Sequence, residues 1–165
     1  MLKTDSDHCE GLQILRYQPG QHYHAHTDYL ETPADRYVTV LLYLGDEDGE
    51  QPLEGGETAF PLAGQPPDVQ KKLAAAYMGT SSGASYIGSS SAENAIDKTE
   101  CSGLKVKPTK GTAIVFYNLR PPVPGRVPVE PPQVPDRTTF HLSCEITAGT
   151  KWAANMWFYN EKPTE

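Results

Sequence analysis

Tyr17-Gln18-Pro19-Gly20-Gln21-His22-Tyr23-His24-Ala25-His26-Thr27-Asp28 is the stretch from which the rest of the chain is read. Pro19-Gly20 marks a turn, and after it His22, His24, His26 and Asp28 fall at every second position. In an extended strand successive side chains alternate faces, so these four would share one. Three imidazoles and a carboxylate on one face cost solvation unless a metal, a proton or water occupies it. The chain has five histidines, and apart from these three and His8 only His141 is left to supply a distant imidazole ligand. Two imidazoles and one carboxylate, with the remaining positions open, form the ligand set of mononuclear non-haem Fe(II) oxygenases. His26 and Asp28 with His141 fill that set. A rival filling is His24 and His26 with Glu31, the His-x-His-x4-Glu pattern of cupins, which are also jelly rolls. The cupin glycine spacings are missing, however. A His-x-Asp pair arises by chance on surface strands, and His22 and His24 read as exposed strand residues.

The 165 residues bound one domain able to bury a single core. A formal charge of −7, a pI of about 5.2 and the lack of any basic run argue against nucleic acid and anionic membrane surfaces as partners. Hydrophobic residues make up 38% of the chain beside 15 prolines and 14 glycines, a mix that suits short strands joined by long loops. No apolar run approaches a membrane span, and residues 1–5 carry no signal-peptide core. Cys9, Cys101 and Cys144 allow one disulfide with a spare, or three thiols.

Outward from the histidines, residues 12–17 read as a strand and 32–35 as a loop. Residues 36–44, Arg-Tyr-Val-Thr-Val-Leu-Leu-Tyr-Leu, are the most apolar run; without alternation, they are expected to be covered on both faces, as are residues 112–117. Residues 45–50 are an acidic turn whose spacing does not fit a calcium loop. Gly55-Gly56-Glu57-Thr58-Ala59-Phe60-Pro61 is a short strand whose glycines suggest close backbone approach. Residues 62–103 form an insert: a helix from Pro67-Asp68 to Tyr77 with Val69, Leu73 and Tyr77 on one face, then a mobile Ser/Gly-rich stretch over 81–91. Residues 121–135 hold seven prolines and read as an extended, polyproline-like loop. Residues 138–146 are a strand carrying His141, and 151–159 are the last strand. About eight short strands and one minor helix make an all-β fold, a jelly-roll of two facing antiparallel sheets with the metal in its mouth. One domain spans 1–165, its core about 12–159. Lys151 stands in Lys151-Trp152-Ala153-Ala154-Asn155-Met156-Trp157-Phe158. A lysine among such neighbours either meets an anion or snorkels to water at the rim, and spacing leaves both open.

In order along the chain stand Tyr17-x5-Tyr23-x2-His26-x-Asp28, the run 36–44, Gly55-Gly56-Glu57-Thr58, Lys107-Pro108-x-Lys110-Gly111 and His141-x2-Cys144-x6-Lys151-Trp152-x4-Trp157. Together they resemble the catalytic domain of prolyl 4-hydroxylases of the collagen, plant and algal type, from about residue 12 to 158. The resemblance implies a double-stranded β-helix and an Fe(II)- and 2-oxoglutarate-dependent dioxygenase using O2 and ascorbate. It favours His26, Asp28 and His141 as metal ligands over the cupin-like set. It implies that Lys151 binds the distal carboxylate of 2-oxoglutarate with Tyr17 and Thr58, lysine being the choice of the collagen and plant branch. It places Tyr23, Arg36 and Trp157 along the groove for a proline-containing peptide or protein.

The chain departs from the family in carrying Tyr159 where a histidine is common, in a short loop over 29–35, and in lacking the helices that usually precede the first core strand. An apolar patch on the outer sheet is therefore expected, covered by a second subunit or an N-terminal segment. Cysteines at matching positions pair in the algal members, which implies a Cys101–Cys144 disulfide with Cys9 free and an endoplasmic-reticulum or secretory setting. The implied reaction couples decarboxylation of 2-oxoglutarate, to succinate and CO2, with hydroxylation of peptidyl proline. Rival readings are hydroxylation of free proline or another residue, and a non-catalytic jelly-roll binding module.

Overall fold

Eight strands carry the fold of the computed structural model, which describes residues 6–30, 32, 34–46, 52–78, 101–120 and 134–162. They are β1 (Gln13–Tyr17), β2 (Tyr23–His26), β3 (Arg36–Asp46), β4 (Thr58–Phe60), β5 (Leu104–Val106), β6 (Ala113–Tyr117), β7 (His141–Ser143) and β8 (Lys151–Tyr159). All pairings are antiparallel, and they make two four-stranded sheets, β1-β8-β3-β6 and β2-β7-β4-β5. The chain passes from sheet to sheet, with only β4 and β5 following each other in the same one. That winding is the jelly-roll, or double-stranded β-helix, expected from the sequence.

The two sheets face each other across an apolar interior. Leu41, Tyr43 and Ala153 from the first sheet form a buried cluster with Leu15, Ile114 and, from the second sheet, Val106. Phe60 of β4 meets Phe116 of β6 edge-to-face, with ring centroids 5.4 Å apart. The second sheet is also covered on its outer side. The α-helix α1 (Pro67–Met78), the one α-helix among the described residues, starts with proline at its first position, where the missing N–H has no helical partner to lose. Its Leu73 and Ala74 pack with Leu62, Phe140 and Ala25. A disulfide joins Cys101, ahead of β5, to Cys144, just past β7, and leaves Cys9 free. Both outcomes match expectation.

Four expectations are corrected. The runs in β3 and β6 are apolar but not sealed on both faces. Inward Phe116 is buried, whereas outward Val115 and Tyr117, like Ile14 on β1, stay exposed, because β6 is an edge strand of a sheet with one covered face. The histidine strand is shorter than 22–28: pairing stops at His26, so Asp28 lies beyond the strand end rather than on its alternating face. Residues 138–146 are not one strand but a 3-10 turn (Arg137–Thr139), β7, and the start of a short segment (Ile146–Ala148) that pairs with Glu54–Gly55. Val134–Pro135, at the end of the proline-rich loop, pairs with Leu119–Arg120. The Ser/Gly-rich stretch and the remainder of that loop lie outside the described residues. No helix among the described residues is long and apolar enough to cross a membrane.

Candidate active site

His26 and His141 are directly opposite each other in the β2–β7 ladder, so two residues 115 positions apart present neighbouring rings, their centroids 4.3 Å apart. Asp28, two residues past the end of β2, turns its carboxylate into the same place. Ligand atoms of His26, Asp28 and His141 lie within 4.8 Å of one another. Asp28 Oδ1 is 3.5 Å from His26 Nε2, and Oδ2 is 3.9 Å from His141 Nε2.

The backbone fixes which ring nitrogens face the centre. Nδ1 of His26 is 2.8 Å from the carbonyl of His24, and Nδ1 of His141 is 2.8 Å from the carbonyl of Thr139. A carbonyl only accepts, so each Nδ1 carries a proton, and in the neutral ring Nε2 turns its lone pair toward the carboxylate. Burial, reinforced by the neighbouring His26 imidazole, pushes His141 down to about 4, so its ring is neutral at ordinary pH. Burial alone would raise the Asp28 carboxyl. The two neighbouring imidazoles, His26 first, and the hydrogen bond from Thr39 outweigh that and hold it well below the usual carboxylate range. Two imidazoles whose Nδ1 is held by a backbone carbonyl and an ionised carboxylate, oriented by outer hydrogen bonds, fit a divalent metal of the first transition row. His24 is exposed and His22 half-buried, their rings packed edge-to-face with each other, and neither joins the cluster. Glu31 of the cupin-like alternative lies outside the described residues.

The same strand leads to a second polar group. Ser143 lies two residues beyond His141 on the inward face of β7, about 7 Å further along at the rise of a strand. Its Oγ accepts from Lys151 Nζ at 2.8 Å, and the Gly56 carbonyl accepts from the same ammonium at 2.6 Å. Lys151 is only 2% exposed, so it does not snorkel. Its Nζ lies 5.2 Å from the Tyr17 ring and 5.7 Å from the Tyr43 ring, and Tyr43 donates to Thr58 Oγ1 at 2.7 Å. Burial brings the amine down to about 8, against the charge of Glu57, and lifts Tyr17 to about 12. An ammonium with two protons committed to neutral acceptors has a third for an anion. Gly56 is required here: its φ is +70°, and a Cβ would run into Ile146 Cδ1 and come within 3.1 Å of Lys151 Cδ. That is the close approach the glycine pair foretold.

Arg36 and Trp157 also come together. The guanidinium lies over the indole at 3.9 Å and holds Glu10 through Nε at 2.6 Å and Nη2 at 3.1 Å. Tyr159 donates to the same Glu10 at 2.7 Å. Trp157 is 6% exposed, so it supports Arg36 rather than offering an open face, and its Nε1 has no hydrogen-bond partner among the described residues. Tyr23 is 51% exposed, with its ring 4.6 Å from that of His26, which leaves it as the open aromatic beside the triad. Glu10, Thr39, Asn118 and Ser143 were missed in the sequence. A carboxylate at 10 and a hydroxyl at 143 have no local pattern that separates them from surface residues. Two surface hollows, one of about 370 Å³ beside Gly55, Glu57 and Lys107 and one of about 390 Å³ beside Lys71, Arg120 and Arg137, hold no triad residue.

The profile of the 2OG-Fe(II) oxygenase superfamily matches residues 12–159, and the chain belongs to that family. Among curated relatives, "Probable prolyl 4-hydroxylase 9" of Arabidopsis thaliana is 33% identical over 164 residues, covering 96% of this chain and 43% of the relative. "Prolyl 4-hydroxylase 13" of the same plant is 34% identical over 161 residues, covering 94% and 44%. The chain thus spans less than half the length of these relatives. A viral collagen prolyl hydroxylase of Paramecium Bursaria Chlorella virus-1, solved as a 2OG complex, shares the fold with a TM-score of 0.54 at 24% identity, over 92% of this chain and 58% of that one.

Proposed function

We propose that this chain is the catalytic part of a peptidyl-prolyl 4-hydroxylase. His26, Asp28 and His141 are its Fe(II) ligands, and Lys151, with Tyr17, Thr58 and Ser143, holds the distal carboxylate of 2-oxoglutarate. The observation that carries the reading is the placement of His141 and Ser143 on one face of β7. One marks the triad and the other touches the buried ammonium, so a dicarboxylate of five carbons can reach from metal to lysine. A binding module has no need of a buried lysine at that distance from three ligand atoms. Iron bound to the triad would supply the oxidative chemistry, driven by decarboxylation of 2-oxoglutarate. The chain's own residues orient the reactants. The two imidazoles are held as Nε2 donors, and the apolar walls of Phe60 and Phe116, whose rings lie 5.7 and 5.0 Å from that of His141, keep water from that side.

The prolyl 4-hydroxylase relatives support a proline substrate. Tyr23 presents an exposed ring to a proline, and Arg36, steadied by Trp157, has donors for the carbonyls that a polyproline II backbone leaves unpaired. Substrate carbonyls would then compete with Glu10 for the guanidinium. The test is incubation with iron, ascorbate, 2-oxoglutarate and proline-rich peptides, followed by mass spectrometry. One added oxygen per modified proline is expected, and Arg36→Ala should reduce peptide hydroxylation far more than uncoupled decay of 2-oxoglutarate. Equal loss of both, or hydroxylation of free proline alone, overturns the peptide reading.

A further inference from the structure

A buried line of hydrogen bonds runs from the triad into the first sheet. Asn118 Nδ2 donates to Thr39 Oγ1 at 2.9 Å, and Thr39 Oγ1 donates to Asp28 Oδ2 at 2.6 Å. Neither Thr39, 1% exposed, nor Asn118, fully buried, meets water. Thr39 stands on the inward face of β3 opposite Trp157, and Asn118 follows the end of β6 on the neighbouring strand. The backbone of Asn118 is pinned on both sides: its N–H donates to the Tyr37 carbonyl at 2.9 Å, and its carbonyl accepts from Asp136 N–H at 2.7 Å.

Counting protons gives this line a direction. A hydroxyl has one proton to give, whereas an ionised carboxylate has none. Turned the other way, the Asn118 amide would set its oxygen against Thr39, and two acceptors would compete for a single proton. With Nδ2 toward Thr39, the hydroxyl accepts from Asn118 and its proton goes to Asp28. That orientation leaves Asn118 Oδ1 buried without a partner among the described residues. An unpaired neutral oxygen costs less than an unpaired buried carboxylate, so the orphan atom is explained by what it allows at Asp28.

We propose that Thr39 and Asn118 are positioning residues for the metal site, a relay that fixes the plane of the Asp28 carboxylate so that Oδ1 is presented beside His26 Nε2. The inference rests on the ligand reading of His26, Asp28 and His141 given above. Asp28 needs such an anchor because it lies past the end of β2, where no ladder bond holds it.

The test is titration of the metal-free full chain with Co(II), followed by visible absorption, alongside thermal unfolding. Thr39→Val keeps the shape and removes the proton, and it should weaken Co(II) binding about 10–100-fold. Thr39→Ser should restore it to near the parent value. Asn118→Leu should cost less than Thr39→Val, and the double variant should bind no worse than Thr39→Val alone, because Asn118 acts through Thr39. Unchanged affinity in a folded Thr39→Val, a Thr39→Ser as weak as Thr39→Val, or additive losses in the double variant each overturn the relay. Asp28→Ala separates the two readings. If it binds Co(II) like the parent, the ligand assignment fails. If it loses Co(II) while Thr39→Val keeps it, the ligands stand and only the relay falls.

Discussion

The two ends of the space between the sheets are built on different principles. At the triad, both imidazoles are fixed by near neighbours in sequence. His26 leans on the carbonyl of His24 and His141 on that of Thr139, two residues away in each case, and only Asp28 depends on a distant partner, Thr39. At the lysine end, every partner is distant. Lys151 reaches Gly56 and Ser143, and its surroundings come from β1 and β3. Local bonds give rigid donors that a metal can meet without reorganisation. A charge buried among distant neutral partners has no such economy. It is tolerated because burial sharpens its attraction for an anion, and the same burial makes its protonation sensitive to pH.

The largest effects should fall at the triad. His26→Ala, Asp28→Ala and His141→Ala should each bring metal content and 2-oxoglutarate turnover below detection; a dead His24→Ala beside an active Asp28→Ala would turn the assignment toward the cupin-like set. At the other end, Lys151→Ala should leave metal binding intact and raise the 2-oxoglutarate KM about 10–100-fold, the value of a charge-assisted hydrogen bond of about 1.5–3 kcal/mol. An unchanged KM would erase the distinction between the ends.

The disulfide braces the strand that serves both ends. Cys101→Ser should lower unfolding free energy by about 4 kcal/mol on a chain-entropy argument for a sequence separation of 43. Denaturant titration measures this, and a loss confined to one end's function without loss of stability would contradict it.

A finer probe is pH. The ammonium is the form that binds an anion, and in the free enzyme Lys151 is brought down to about 8, chiefly by burial. Affinity for 2-oxoglutarate should therefore be full below that pH and fall as pH rises through it. Ser143→Ala removes an acceptor that favours the charged amine. It should weaken binding about fivefold and move the fall to lower pH; calorimetry across pH gives both, and a pH limb that does not move would release Ser143 from its role. The smallest effect is expected at His24, exposed on β2, where alanine should change turnover by no more than about twofold.

The alternation of histidines, the apolar runs and the turn residues made the all-β jelly-roll legible in the sequence, because strand periodicity and turn chemistry are local. His26, Asp28 and His141 could be proposed as metal ligands because few residue types bind metal, the chain has five histidines, and the family resemblance favoured this set over the cupin-like one. Lys151 could be named but not placed, since a strand lysine at a rim and one in a core have the same neighbours in sequence. Thr39, Asn118, Ser143 and Glu10 were settled only by tertiary structure. Hydroxyls, amides and carboxylates are common on any surface. What gave these four their meaning was the antiparallel register that sets β3 between β6 and β8 and the jelly-roll winding that brings residues a hundred positions apart within a hydrogen bond. The exposed outer edge of β6 was hidden likewise, because an apolar run states what a strand could bury, and only the packing of the layers decides which face is covered.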